Sequence, residues 1–266
     1  NMDALTIPAA GGVDTTALII GDFSNGNDGI VLKGSGKKLA DIKGQRVNMV
    51  ELSVSHYLLA RALESVKLTE KDIKVVNTSD ADIVAAYATP AVTAAVAWNP
   101  QLTTLKTMPN SSLVFDSSSI PGEIIDMMMV NTKTLSENPA LGKALVGAWY
   151  ETLVIMTKGD TAAKSAIEFM AKASGTDVPT FEGQLKTTKM FYKPSEAATF
   201  FKSPDLIKTM DYVRKFSFSH GLLGEGAKSV DAVGVSFPGG KTLGNPKNIK
   251  LRYDDSYTSM AAQGKL

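Results

Sequence analysis

The chain has 266 residues, enough for one large domain or two modest ones with a sizeable core, and its 28 basic and 27 acidic residues leave a net charge of +1. Acids and bases are interspersed, so there is no Lys/Arg stripe to follow a phosphate backbone, which excludes nucleic acid as a partner, and no apolar run is long enough to cross a bilayer. The absence of cysteine rules out disulfides, thiol catalysis and thiolate-bound metal. From the amino end, residues 1–6 read as a short helix after a polar start, and a turn leads into an apolar strand at 16–20 that runs on to Asp22. After a Gly/Ser/Asn stretch, Asp28 stands directly before a second buried strand at 30–32. Residues 39–44 form one helical turn closed by Gly44, and 46–50 a buried strand. Ser53 and Ser55 then cap a helix over 57–66, whose free N–H groups point beyond the sheet edge. A strand at 73–77, a helix from Asp80 to about Ala88 and a strand at 92–97 continue an alternation that implies a parallel sheet with helices on both faces. Strands at 112–115, ending at Asp116, and at 127–130, directly after Asp126, follow. Beyond residue 132 the pattern is helical, over 136–158 with Pro139 in the first turn, 161–173 and 195–220. Residues 241–252 are polar and turn-rich, and 254–263 read as a last helix.

Residues 1–34 and 98–132 repeat one pattern: a short helical segment, an apolar strand ending in aspartate (Asp22, Asp116), a polar stretch, and an acid (Asp28, Asp126) before a second strand. Such a pair suits a two-lobed α/β protein with two crossing strands, lobe 1 being 1–29 plus 127–266 and lobe 2 being 30–126. The cleft between such lobes is a natural ligand site. Residues 38–97 have no counterpart before Asn1, so roughly fifty or more residues that complete the first lobe are expected outside this chain.

Ligands of parallel sheets sit beyond the carboxyl ends of the strands. There the sequence places Asp22, Asp28, Glu51, Glu123 and Asp126, beside Ser53, Ser55 and Trp98. Taken singly, each acid also reads as a cap or turn residue, and Trp98 serves core packing as readily. Together they would make a negative pocket for a small cation or a ligand with several donors. A planar fork of N–H groups matches a carboxylate through two parallel bonds, and an aromatic face can cover it. No catalytic, metal or cofactor set emerges. Residues 33–38 form a surface turn without phosphate-loop spacing, only His56 and His220 supply imidazole, no serine sits in a nucleophile elbow, and Asp80 and Asp82 read as helix-capping residues.

The run Leu39-Ala40-Asp41-Ile42-Lys43-Gly44, then Ser53-Val54-Ser55-His56-Tyr57-Leu58-Leu59 and Trp98-Asn99-Pro100, resembles the nitrate/sulfonate/taurine (NMT1/THI5-like) group of ABC-transporter substrate-binding proteins. Asn1-Met2-Asp3-Ala4-Leu5-Thr6, Gly21-Asp22-Phe23-Ser24-Asn25-Gly26-Asn27-Asp28, Pro121-Gly122-Glu123-Ile124-Ile125-Asp126 and Thr188-Lys189-Met190-Phe191-Tyr192 resemble its urea-carboxylase-associated branch. The resemblance implies a type II periplasmic-binding-protein fold and a monomeric, non-enzymatic, periplasmic protein that passes guanidine, or urea, to a membrane permease. Family members begin upstream of the position of Asn1. Sulfonate binders usually carry Pro-x-Gly-Ser where this chain has Val50-Glu51-Leu52-Ser53, and a glutamate there favours a cationic or amide ligand. On this reading Glu51, Asp28 and Asp126 receive the ligand's N–H groups, Ser53 and Ser55 orient it, and Trp98 stacks on it. Asn1, Asp3, Asp22, Asn27 and Glu123 complete the expected site. The alternatives are a binder of a sulfonate or nitrate-type solute and an NMT1/THI5-like enzyme of pyrimidine metabolism.

Overall fold

The computed structural model describes residues 1–266. The chain opens with α1 (Met2–Ala4), which widens into a π-type turn at Leu5–Ala9, and then enters the long strand β1 (Thr15–Ser24). Strands β2 (Asp28–Lys33) and β3 (Arg46–Met49) follow, then α2 (Val54–Ser65), β4 (Lys74–Asn77), α3 (Ile83–Ala88), β5 (Ala94–Trp98), α4 (Gln101–Thr107), β6 (Ser111–Asp116) and β7 (Ile125–Asn131). The remainder comprises α5 (Thr132–Glu137), α6 (Pro139–Thr157), α7 (Thr161–Ala173), α8 (Val178–Leu185), β8 (Thr188–Met190), α9 (Pro194–Phe201) and α10 (Pro204–Ser219). Strands β9 (Gly234–Ser236), β10 (Thr242–Leu243) and β11 (Ile249–Tyr253) and helix α11 (Ser256–Ala262) complete it.

These elements form an α/β molecule of two compact units. Unit 1 is Asn1–Phe23 with Ile125–Leu266, and unit 2 is Ser24–Ile124. The chain passes between them at 23/24 and 124/125, a few residues ahead of the crossings at 29/30 and 126/127 drawn from the sequence pattern. Unit 1 holds a sheet in the order β10-β9-β11-β1-β7, with β8 also paired to β1. Its core joins Leu18 and Ile19 of β1 to Val146, Tyr150 and Leu153 of α6 and Tyr257 of α11. β7 is an outer strand of this sheet, antiparallel to β1, and the stretch 127–130 is only half buried. Unit 2 holds the order β4-β3-β5-β2-β6, covered by Ile83 and Tyr87 of α3 and Leu102 and Leu105 of α4 against Val31 and Ala95. The two repeated segments interlock strand by strand. β1 of the first pairs with β7 of the second in unit 1, and β2 of the first with β6 of the second in unit 2.

Several elements differ from the sequence reading, each for a local reason. The helix expected over 136–158 is two helices, because Asn138 precedes Pro139, which disfavours helical geometry at Asn138 and starts α6 afresh. The helix over 195–220 likewise breaks before Pro204, where the Ser203 hydroxyl accepts the Asp205 N–H at 3.1 Å. α3 begins at Ile83, not Asp80, whose carboxylate accepts the N–H of Ala81 at 2.9 Å. The turn-rich stretch 241–252 contains β10 and most of β11, an inner strand in which Leu251 and Tyr253 are buried.

Candidate functional site

In unit 2, β3, β4 and β5 run parallel, while β2 is antiparallel to β5 with Asp28 opposite Trp98, and to β6 with Gly29 opposite Asp116. The carboxyl ends of β3, β4, β5 and β6 and the start of β2 therefore share one edge of the sheet. Glu51, Trp98 and Asp28 stand there together with the start of α2.

At the start of α2, Ser53 is the N-cap. Its hydroxyl accepts the Ser55 N–H at 3.1 Å and donates to the Val50 carbonyl at 2.6 Å. Leu52 has φ 61°, a left-handed conformation unfavourable for leucine, and its N–H donates to Nδ1 of the buried His56 at 3.1 Å. That bond leaves the imidazole hydrogen on Nε2, which lies 3.3 Å from the Glu70 carboxylate. Ser55 is fully buried, and its Oγ has no hydrogen-bond partner. Glu51 is exposed. Its N–H donates to Asn77 Oδ1 at 3.0 Å, and its carboxylate makes no ion pair. Trp98 is half buried and lines a cavity of about 10 Å³, the space of one water, with Val50, Asp80 and Gln101. Gln101 Oε1, also without a partner, is a feature the sequence reading missed.

The structure uses two of the expected ligand acids internally. Asp28 is 3% exposed and accepts the Ser24 hydroxyl at 2.5 Å. Because the single hydroxyl hydrogen of Ser24 goes to Asp28, Ser117 must donate to Ser24, at 2.6 Å, and its own oxygen accepts the Gly26 N–H at 2.8 Å. This buried chain of bonds fastens the loop between β1 and β2. Asn27 is held beside it by Asn99, whose N–H and side-chain amide donate to the Asn27 backbone and side-chain oxygens, each at 3.0 Å. Glu123 is engaged by α2: Arg61 donates to both carboxylate oxygens at 2.8 and 3.0 Å, and the Tyr57 hydroxyl at 2.7 Å. No local pattern joins residues 61 and 123, so only the fold reveals the pair.

In unit 1, Asp22 of β1 lies directly opposite Asp126 of β7. Asp22 is buried and Asp126 exposed, and their side chains share a hydrogen bond. Burial first, then the adjacent Asp126 charge and the shared bond, push the Asp22 carboxyl up to about 8. Asp22 Oδ1 has no hydrogen-bond partner. Both acids line a cavity of about 440 Å³ walled by Ile19, Met127 and Trp149. Gly21 makes this wall possible, since a Cβ there would lie 2.8 Å from the indole ring of Trp149. The Trp149 Nε1 hydrogen likewise has no acceptor. Asn1 brackets the start of β7, its nitrogen donating to the Ile125 carbonyl at 2.8 Å and its Oδ1 accepting the Ile125 N–H at 3.2 Å. Asp3, on the exposed side of α1, lines a cavity of about 310 Å³ with Asn1 and Asp126. Asn1, Asp3, Asp22 and Asp126 are thus one group, and Glu51, Ser53, Ser55 and Trp98 another.

The fold matches solved structures of type II periplasmic binding proteins. The aliphatic sulphonate binding protein SsuA from Escherichia coli is similar with a TM-score of 0.69 at 20% identity, over 83% of this chain and 73% of that one. The desulfurization enzyme DSZB is similar with a TM-score of 0.56 at 16% identity, over 83% and 77%. At these identities the likeness concerns the fold, which carries both binding and catalysis. Among curated relatives, a provisionally named binding protein of Brucella abortus is 24% identical over 189 residues, covering 70% of this chain and 57% of the relative. The chain thus spans little more than half the length of that relative. Residues 24–178, more than half of the chain, match the family described as NMT1/THI5 like, and the chain belongs to that family.

Proposed function

We propose that the protein is the solute-binding component of an ABC-type importer, working in the periplasm, and that its solute is a small nitrogenous molecule with several N–H donors, guanidine before urea. The observation that carries this reading is the state of the carboxylates. Within unit 2 Asp28 is hydrogen-bonded by Ser24 and Glu123 is ion-paired with Arg61, whereas Glu51 stands exposed and without an ion pair at the carboxyl edge of the sheet beside Ser53 and near Trp98. Unit 1 has acceptors of its own in the Asp22–Asp126 pair. Guanidinium offers donors only and suits such acceptors, while urea also requires a donor for its carbonyl, and the one hydroxyl hydrogen of Ser53 is already given to the Val50 carbonyl.

A second reading, a sulfonate-type anion, draws on the amino end of the 12-residue helix α2 with its unpartnered Ser55 hydroxyl, since helix amino ends favour anions. Calorimetric titration with millimolar guanidinium chloride, urea and ethanesulfonate at matched ionic strength separates the two. Saturable guanidinium binding that Glu51→Gln weakens tenfold or more, with an unchanged melting temperature of the free protein, supports the first. Ethanesulfonate binding with no response to guanidinium or urea replaces it with the second.

A further inference from the structure

The acid pair of unit 1 has a consequence for how a cation binds, and it rests on the reading just given. We propose that an organic cation occupying the Asp22–Asp126 pair displaces the hydrogen that joins the two carboxyls, so that binding releases one proton. The geometry is that of two carboxyls placed opposite each other on β1 and β7, one of them buried, sharing a hydrogen bond at the wall of an otherwise largely apolar cavity. Two ionised carboxylates in hydrogen-bond contact, with one side shut off from water, repel strongly, and a single retained proton relieves this.

The site is more than a cluster of acids. Asp22 is 8% exposed, and its Oδ1, on a residue lining the cavity, has no hydrogen-bond partner, an acceptor left for an incoming N–H. Trp149, an aromatic residue whose Nε1 hydrogen has no acceptor, belongs to the same wall. Of the charged side chains around the pair, Asp3 of α1 lies on the Asp126 side, and α6 presents the neutral Trp149. The exchange balances. One protonated and one ionised carboxyl carry a single negative charge, and two carboxylates plus a monovalent cation carry the same charge once the proton has left. A neutral ligand such as urea offers no charge to replace that proton and leaves it in place.

The test is a titration of the full chain with guanidinium chloride in weakly buffered solution at pH 6.5, with a pH-stat counting protons as the site saturates. About one proton per cation bound is expected. The apparent affinity should rise about tenfold per pH unit and level off above about 8, where Asp22 loses its proton unaided. Asp22→Asn, and independently Asp126→Asn in case the first fails to fold, should abolish the proton release and flatten the pH dependence, a readout that a merely structural role would not move. Saturable guanidinium binding without proton release and with pH-independent affinity overturns the inference and leaves the proposed function intact. Absence of guanidinium binding at every pH from 6 to 9 overturns both.

Discussion

Glu123 and Asp22 are both acids kept largely from water, and their surroundings treat them in opposite ways. Arg61 and Tyr57 supply Glu123 with three donors, and the bonds to Glu123 hold the Arg61 guanidinium above its ordinary pKa. The side chains of Arg61 and Glu123 are 19% and 12% exposed, and Arg61 also pairs with Glu64, so removing Glu123 takes away two charge-assisted bonds while leaving the guanidinium an ion-pair partner. Glu123→Ala should therefore cost about 1.5–3 kcal/mol in chemical denaturation, more than an exposed ion pair is worth. Asp22 has no cation beside it and holds its proton instead. Its unfolded carboxyl ionises near the ordinary 3.8 and its folded one at about 8. Between these values unfolding releases a proton, so the Asp22 contribution to stability falls as pH rises through that window. Asp22→Asn should flatten this slope in urea titrations at pH 5 to 8. Of the candidate residues, the Ser53 cap and the strand-end placement of Glu51 and Trp98 were legible because they depend on neighbours a few positions away. The engagement of Glu123 was not, since its partner Arg61 is 62 residues distant and nothing local marks it.

At the level of elements, the packing of α6 on β1 depends on a glycine. Trp149 lies so close to Gly21 that any Cβ would meet its ring at 2.8 Å. Gly21→Ala forces that indole aside, with an expected loss of about 1–3 kcal/mol and a changed Trp149 emission read in a Trp98→Phe background. The loop between β1 and β2 depends on one hydroxyl in the same way. Ser117→Ala leaves the Gly26 N–H without its 2.8 Å acceptor and Ser24 without its donor, and should cost about 1–3 kcal/mol in thermal melts. The alternating strands and helices of unit 2 could be read from apolar period alone, because each strand is a short apolar run with a turn or cap at its ends. β11 could not. Its Ile249, Leu251 and Tyr253 alternate with Lys250 and Arg252, and this short alternation is masked by the polar residues before it, although it lies inside the unit 1 sheet.

For the whole molecule, the division into units follows the chain path. Unit 2 is one uninterrupted segment, Ser24–Ile124, with its own five-stranded sheet and its own core. Expressed alone, residues 24–124 should fold and melt cooperatively, as followed by circular dichroism; a featureless melt would show that unit 2 depends on unit 1. The two-unit plan was visible in the sequence because the repeated segments each carry a strand to either sheet. The crossing points were displaced because β1 continues through Asp22 to Ser24, where burial gives no sign of a change of unit. β7 carries a different consequence. An antiparallel strand with a single neighbour turns alternate backbone amides toward solvent. Deuterium should therefore enter the amides of Met127, Met128, Met129 and Val130 in alternation, fast at the outward ones and slow at those bonded to β1. Such a row of unengaged peptide groups on an apolar ribbon is a template onto which another extended segment can zip, and the fast amides would register its arrival by becoming slow.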